Sequence, residues 1–210
     1  MGSKQPRVRM TGQERRAQLL DVGRSVFAER GYEAASVEEI AARAQITKPV
    51  VYEHFSGKEG LYAVIVDREV QSLLGRITQS LEGSHPRALL EQAAVSFLGY
   101  IEAEPEGFRI LVRDSPVTSA TGTLASVIGD IATQVEYILR NQFRDRGFDT
   151  KLSPLYSQAL VGMVALVGQW WLDAGKPKKE IVAAHLVNLA WNGLGGLEVN
   201  PELKGEGPGA

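Results

Sequence analysis

The sequence predicts an all-α protein: three short N-terminal helices in a helix-turn-helix arrangement, then a larger block of longer helices. Three observations carry this. Apolar residues recur at helical spacing in segments broken by glycine and proline. Two Ser/Thr-x-x-Glu boxes mark helix starts near the N-terminus. The segment from Thr47 to His54 is a helix candidate too short and too poor in apolar surface to stand alone.

Thr11-Gly12-Gln13-Glu14 is a capping box that opens the first helix, which carries Leu19, Leu20, Val22, Val26 and Phe27 and stops at Gly31. Ser36-Val37-Glu38-Glu39 opens a second, with Val37, Ile40, Ala41 and Ala44 on one face. Thr47 caps the third, Pro49 lies in its first turn where a missing N–H does no harm, and Val51 and Phe55 point inward. A fourth helix runs from Ser56 to about Leu81, capped by Ser56 with Glu59 or by Gly57. A fifth follows from Pro86 to about Glu104. A short sixth, Glu106 to Arg113, lies between Pro105 and Pro116. Further helices cover Thr118 to Arg146, Ser153 to Ala174 and Lys178 to Leu194. Gly193 to Gly196 is a helix stop.

The third segment carries chemistry suited to DNA. The cap position of Thr47 can offer a hydroxyl or free backbone N–H groups to a phosphate. Lys48 suits a phosphate or a guanine edge, and Val50 has the size to touch a thymine methyl. Glu53 is expected to point away from DNA.

Residues 11 to 62 resemble the DNA-binding domain of TetR-family transcriptional regulators. The resemblance rests on Phe27-Ala28-Glu29-Arg30-Gly31-Tyr32, on Ser36 to Ala41, on Thr47 to Phe55, and on Lys58-Glu59-Gly60-Leu61-Tyr62. It implies DNA contacts from Arg15, Arg16, Ser36, Thr47, Lys48, Pro49, Val50, Tyr52, His54 and Lys58, with Tyr52 and His54 gripping phosphates. It also implies a homodimer on a palindromic operator and control by a small-molecule effector. Two positions depart from the family pattern. Gln45 stands in the turn where glycine is usual, and Ser56-Gly57 precedes Lys58-Glu59-Gly60 at the fourth helix.

The domain division expected from this reading is a flexible basic arm over 1–10, a helix-turn-helix domain over 11–57, a helical effector-binding and dimerisation domain over 58–200, and a disordered tail over 201–210. Net charge is −2, yet residues 1–60 hold ten Lys/Arg against eight Asp/Glu, and the first sixteen residues hold five basic against one acidic. A phosphate at the first helix's start would turn those cations into an advantage. The absence of cysteine removes disulfides and thiolate chemistry. No signal peptide is visible, and the apolar run from Ala159 to Gly168 is short for a bilayer, so a cytoplasmic location without membrane contact is expected. His54, His85 and His185 lie far apart without ligand spacing, so no metal and no cofactor is expected, and an enzyme is the weaker reading.

The last two helices have few polar positions, which asks for cover by a second copy. The interface candidates are Gly162, Ala165, Trp170, Leu186, Leu189 and Trp191. An effector pocket is expected among Phe97, Tyr100, Phe108, Leu111, Val127, Ile131, Tyr137 and Gln169, with a mostly apolar ligand and the proline-bracketed sixth helix as the moving part. The functional expectation is a dimeric, ligand-released repressor. The alternatives are a helical ligand-binding or scaffold protein without operator binding, and an all-α enzyme.

Overall fold

A computed structural model describes residues 10–82, 85–113, 124–199 and 201. Nine α-helices and one 3₁₀ turn lie among them, with no strand. They are α1 (Gly12–Ala34), α2 (Val37–Arg43), α3 (Lys48–His54), α4 (Lys58–Ser80), α5 (Pro86–Ala103), α6 (Pro105–Val112), α7 (Leu124–Arg146), α8 (Ser153–Ala174) and α9 (Lys179–Gly195). The all-α expectation holds. The arm over 1–9, the seventh helix's proposed start at Thr118 and the tail over 202–210 lie outside the described residues.

The first capping box forms as expected. Thr11 Oγ1 accepts from the Glu14 N–H at 3.2 Å, and the Thr11 N–H donates to Glu14 Oε2 at 2.7 Å. That backbone hydrogen bond, with the Thr11 hydroxyl, holds the Glu14 carboxyl below its usual range. The second box forms only by half. Ser36 Oγ accepts from the Glu39 N–H at 3.1 Å, but Glu39 turns its carboxylate to Arg43 and Arg30. Thr47 occupies the cap position of α3 without a side-chain cap bond. Gly31 breaks α1 rather than ending it: its φ is 77°, and one more turn follows to Ala34. At α4 the alternatives resolve in favour of Gly57, whose carbonyl accepts the Leu61 N–H. The Ser56 hydroxyl instead lies over Gly60, where a Cβ would collide with it.

The chain forms two compact units. Among the described residues the first holds 10–72, 104–113 and 124, the second 73–82, 85–103, 125–199 and 201. The division therefore does not fall at 57/58. The first four turns of α4 and all of α6 pack with the helix-turn-helix, because α6 lies along α1.

In the first unit Leu19, Val26, Phe27, Ile40, Val51, Leu61 and Phe108 are fully buried. Gly23 lets α1 approach α4 closely, since a Cβ there would meet Leu61 Cδ2 at 2.9 Å. Phe27, Tyr32 and Tyr62 form an aromatic cluster, with Tyr62 edge-on to Phe27 at 4.9 Å between centroids.

In the second unit α5 is the shared support of α8 and α9. Gly168 faces it: a Cβ would lie 2.8 Å from Ile101 Cδ1 and 2.9 Å from Phe97 Cζ. The left-handed Gly175 ends α8, and the Trp171 indole donates to the Pro177 carbonyl at 2.7 Å. One expectation from the run Ala159 to Gly168 fails. Thr150–Ala174 is long and apolar enough to cross a membrane by length and composition, because neutral residues such as Ser157 and Gln158 interrupt the run without adding charge.

Gln45 has φ 55°, the left-handed value that the turn between α2 and α3 demands. A side chain there costs about 1–2 kcal/mol, and glycine gives back part of that through unfolded-state entropy. Gln45→Gly should therefore raise stability by about 0.5–1 kcal/mol in denaturant unfolding. A lower midpoint would refute the strain argument.

Candidate nucleic-acid interface

The candidate interface is the outer face of α3 with the residues that hold it. Only Val51 of α3 is buried, at 0 % exposure, and it anchors the helix. Thr47, Lys48, Pro49 and Tyr52 point outward, with Tyr52 57 % exposed. Val50 and His54 are half-buried. Glu53 is exposed. An exposed tyrosine on a short helix beside a lysine presents an apolar body and two hydrogen-bonding tips to whatever approaches.

α1 braces this helix from behind. The Arg16 guanidinium lies 4.6 Å from the centre of the Phe55 ring. Gln18 Nε2 donates to the Ala44 carbonyl at 3.2 Å, which ties α1 to the end of α2. Arg15 donates to Gln18 Oε1 at 2.6 Å. Arg15 and Arg16 are both half-buried, so their engagement with α1 and Phe55 limits their reach. Arg43 forks onto Glu29 with bonds of 2.9 and 2.7 Å, linking α2 to α1. The hydrogen bond from the Arg43 guanidinium holds the Glu29 carboxyl below its ordinary range, and Glu29 and Glu39 in turn raise Arg43.

Three expected DNA contacts are engaged otherwise in the free protein. Lys58 Nζ donates to the Tyr32 carbonyl at 2.9 Å and to the Glu33 carbonyl at 3.3 Å, and lies 4.3 Å from the centre of the Tyr32 ring. The kink at Gly31 explains this. It starts a final turn of α1 whose carbonyls have no helical partner, and Lys58 supplies one. Burial raises the Tyr32 hydroxyl's pKa above its usual value, with Glu59 and Glu33 adding to the shift. Ser36 uses its hydroxyl as the α2 cap. Lys48 forms an ion pair with Glu38 of α2, both groups being well exposed. Such a surface pair is weak and yields readily to a phosphate.

The other candidate sites divide differently from the expectation. Phe108 and Leu111 are buried in the first unit. Phe97, Tyr100, Val127 and Ile131 are buried in the second, and Gln169 is half-buried there. Tyr137 is 71 % exposed, so it lines no interior cavity. Its position on α7 places it outside the stripe of Val127, Ile131 and Leu139 that turns inward. Arg113 donates to the Ala28 carbonyl of α1 at 2.9 Å.

Of the interface candidates, Ala165 and Leu186 are buried within their own chain and Trp191 is half-buried beside Arg87. Gly162 has open space above it, and Trp170 and Leu189 are exposed, with Leu155, Leu166 and Ile181 nearby in sequence register. Burial of Val182, Ala183, Leu186, Val187 and Ala190 shows that α9 already has one covered side. His185 lies on the uncovered side.

A braced helix-turn-helix on an all-helical body defines a DNA-binding regulator. Residues 19–65 match the model of bacterial regulatory proteins of the tetR family, and residues 86–193 match a tetracyclin repressor-like C-terminal domain. A transcriptional activator, FasR of Mycolicibacterium smegmatis, is 32% identical over 189 residues, covering 89% of this chain and 85% of the relative. The transcriptional repressor KstR2 of Rhodococcus jostii is 24% identical, covering 86% of this chain and 91% of its own length. A solved TetR-like regulator from Rhodococcus sp. RHA1 superposes with a TM-score of 0.70 at 25% identity, over 90% of this chain and all of that one. The chain belongs to the TetR family of transcriptional regulators.

The two lysines should separate experimentally. Lys48→Ala should lower the slope of log affinity against log salt by about one, as for a lost phosphate contact. Lys58→Gln should leave that slope unchanged and lower unfolding stability by about 1–2 kcal/mol, the scale of its hydrogen bonds and ring contact. A reduced slope with unchanged stability in Lys58→Gln would return that residue to the DNA face.

Proposed function

We propose that this protein is a cytoplasmic homodimer that binds a palindromic operator through paired α3 helices and represses by occupying it. The observation that carries this is α3 itself. It buries one side chain and turns Thr47, Lys48, Pro49 and Tyr52 outward, where Lys48 has only a surface ion pair with Glu38. In such dimers the two recognition helices address successive major grooves about 34–36 Å apart. Selection of bound fragments from random duplexes tests the reading. A palindromic duplex should emerge, with salt-sensitive binding, and Tyr52→Ala should cost about 1–3 kcal/mol of affinity. Failure of the folded wild-type chain to select any duplex would favour a scaffold or ligand-binding protein that has lost operator binding.

The FasR relative supports a second reading, activation. That relative is an activator, and the same DNA-binding step activates or represses according to where the operator lies relative to the promoter. A promoter fusion with and without the protein separates the two by sign.

The dimer reading rests on one face. Leu155, Leu166 and Trp170 of α8 and Ile181 and Leu189 of α9 are exposed apolar side chains, whereas the opposite sides of both helices pack on α5. One-sided exposure fits a second copy better than a bilayer, which would ask for apolar groups all round. Leu189→Asp should give a folded monomer in sedimentation at micromolar concentration, whereas Leu186→Asp, placing a charge in the core, should unfold the chain. A wild-type monomer would sink the proposal.

The effector we infer is small and mostly apolar, held in the second unit near Phe97, Tyr100, Val127, Ile131 and Gln169. Their apolar surroundings with few polar groups suit such a ligand. A thermal-shift screen of apolar and acidic compounds checks this, since saturation at a hundredfold excess over Kd adds about 2.7 kcal/mol to stability. If nothing raises the melting temperature and these side chains fill the space themselves, the regulator is constitutive.

A further inference from the structure

α6 is held against α1 at both of its ends. At the C-terminal end Arg113 donates to the Ala28 carbonyl, beside the kink at Gly31. At the N-terminal end Ser25 Oγ donates to the Glu106 carboxylate at 3.0–3.1 Å. Between them, Arg24 of α1 reaches two carboxylates at once. Its Nη2 donates to Glu104 Oε2 at 2.6 Å, and its Nε lies 2.9 Å from Oε1 of Glu69 on α4. Glu69 is 9 % exposed, the one charged residue in the buried set among the described residues.

Gly107 makes this geometry possible. It is the third residue of α6, and a Cβ there would lie 2.5 Å from Glu69 Cδ and 2.8 Å from Arg24 Nη2. The first turn of α6 therefore sits directly on the ion pair. The positive end of α6 thus lies close to a carboxylate from another helix, which the helix dipole favours.

Glu104 has a particular place in the chain. α5 ends at Ala103 and α6 begins at Pro105, so Glu104 alone joins them, with φ −130° and ψ 54° outside the helical region. The chain enters the first unit at this residue. Any movement at the end of α5 is delivered to Glu104 through the covalent backbone.

We propose that Arg24 is a positioning residue for DNA binding: by gripping Glu104 and Glu69 together under Gly107, it ties the α5–α6 joint to α1 and α4, and so sets the stance of α3. The inference rests on the DNA-binding reading above and names its control point. The physical path is short. α1 braces α3 through Arg16 on Phe55 and holds the end of α2 through Gln18 on Ala44, and α4 follows α3 after three residues. The clamp at Arg24 joins those two braces about two turns away from the Arg16 contact. Loosening it leaves the hydrophobic packing of Leu19, Val26 and Leu61 in place while freeing the angle between α1 and α4.

The test needs no effector. Gly107→Ala inserts a methyl group into the ion pair and leaves every charge present. It should weaken binding to the selected duplex at least tenfold and speed amide exchange along α3 and α6, with helix content retained. Gly107→Ala/Arg24→Lys breaks the same contact in two ways, so its loss of affinity and gain in exchange should match the larger single effect rather than the sum of the two. Arg24→Lys, which keeps the charge but not the two-armed reach, should behave like Gly107→Ala. A folded Gly107→Ala protein with wild-type affinity and wild-type exchange in α3 would overturn the proposal, as would a double variant whose losses simply add. If the wild-type chain selects no duplex, the DNA-binding reading fails by itself. Exchange in α3 then decides the clamp: faster in Gly107→Ala and no faster still in the double variant supports it, unchanged refutes it.

Discussion

A seven-residue helix that buries one side chain cannot hold itself together, and the first unit is organised around that constraint. Two turns fix their dihedral angles for very few internal hydrogen bonds, so α3 in isolation would be unfolded. Thr47 adds no cap bond, and the helix closes with the Phe55 N–H on the Val51 carbonyl. Its order comes from outside. Val51 sits in the apolar centre shared with Leu19, Ile40 and Leu61, Phe55 lies under the Arg16 guanidinium, and the strained turn at Gln45 sets its entry direction. The lack of apolar surface is also what leaves its outer face available for contact.

The same unit divides its cations between two tasks. Arg24, Arg43, Lys58 and Arg113 tie α1, α2, α4 and α6 to one another through carboxylates or orphan carbonyls. Lys48 stays exposed with only a surface partner. An arginine whose fork matches a carboxylate or a helix end stabilises the fold at partly buried sites, where solvent screens less. A lysine in a surface pair is held weakly and can exchange that partner for phosphate. Total charge therefore says little about the DNA face of this protein; which cations have internal partners says more.

Small residues show a parallel division in the second unit. Gly162 and Gly168 lie six apart on α8 and look alike in sequence, yet Gly168 admits the Phe97 ring and Gly162 has open space above it. One sets the distance between α8 and α5. The other lies among Leu155, Leu166 and Trp170 on the uncovered side.

The sequence by itself determined the helix order, the Thr11–Glu14 box, the left-handed demand at Gln45 and the outward group Thr47, Lys48, Pro49 and Tyr52. These depend on residues within a few positions of one another, where propensity, capping and periodicity act directly. It could not determine the partners of Lys58, Arg24 and Arg113, the exposure of Tyr137, or the inward side of Ala165 and Leu186. Lys58 bonds carbonyls 25 and 26 residues away, and Arg24 reaches a carboxylate 80 residues away. A local pattern shows that a charge or an apolar stripe exists. Which neighbour meets it depends on how helices distant in sequence pack, because a helix with apolar residues on several sides offers more than one face to cover. Only the tertiary packing of α6 on α1, and of α8 and α9 on α5, decided those choices.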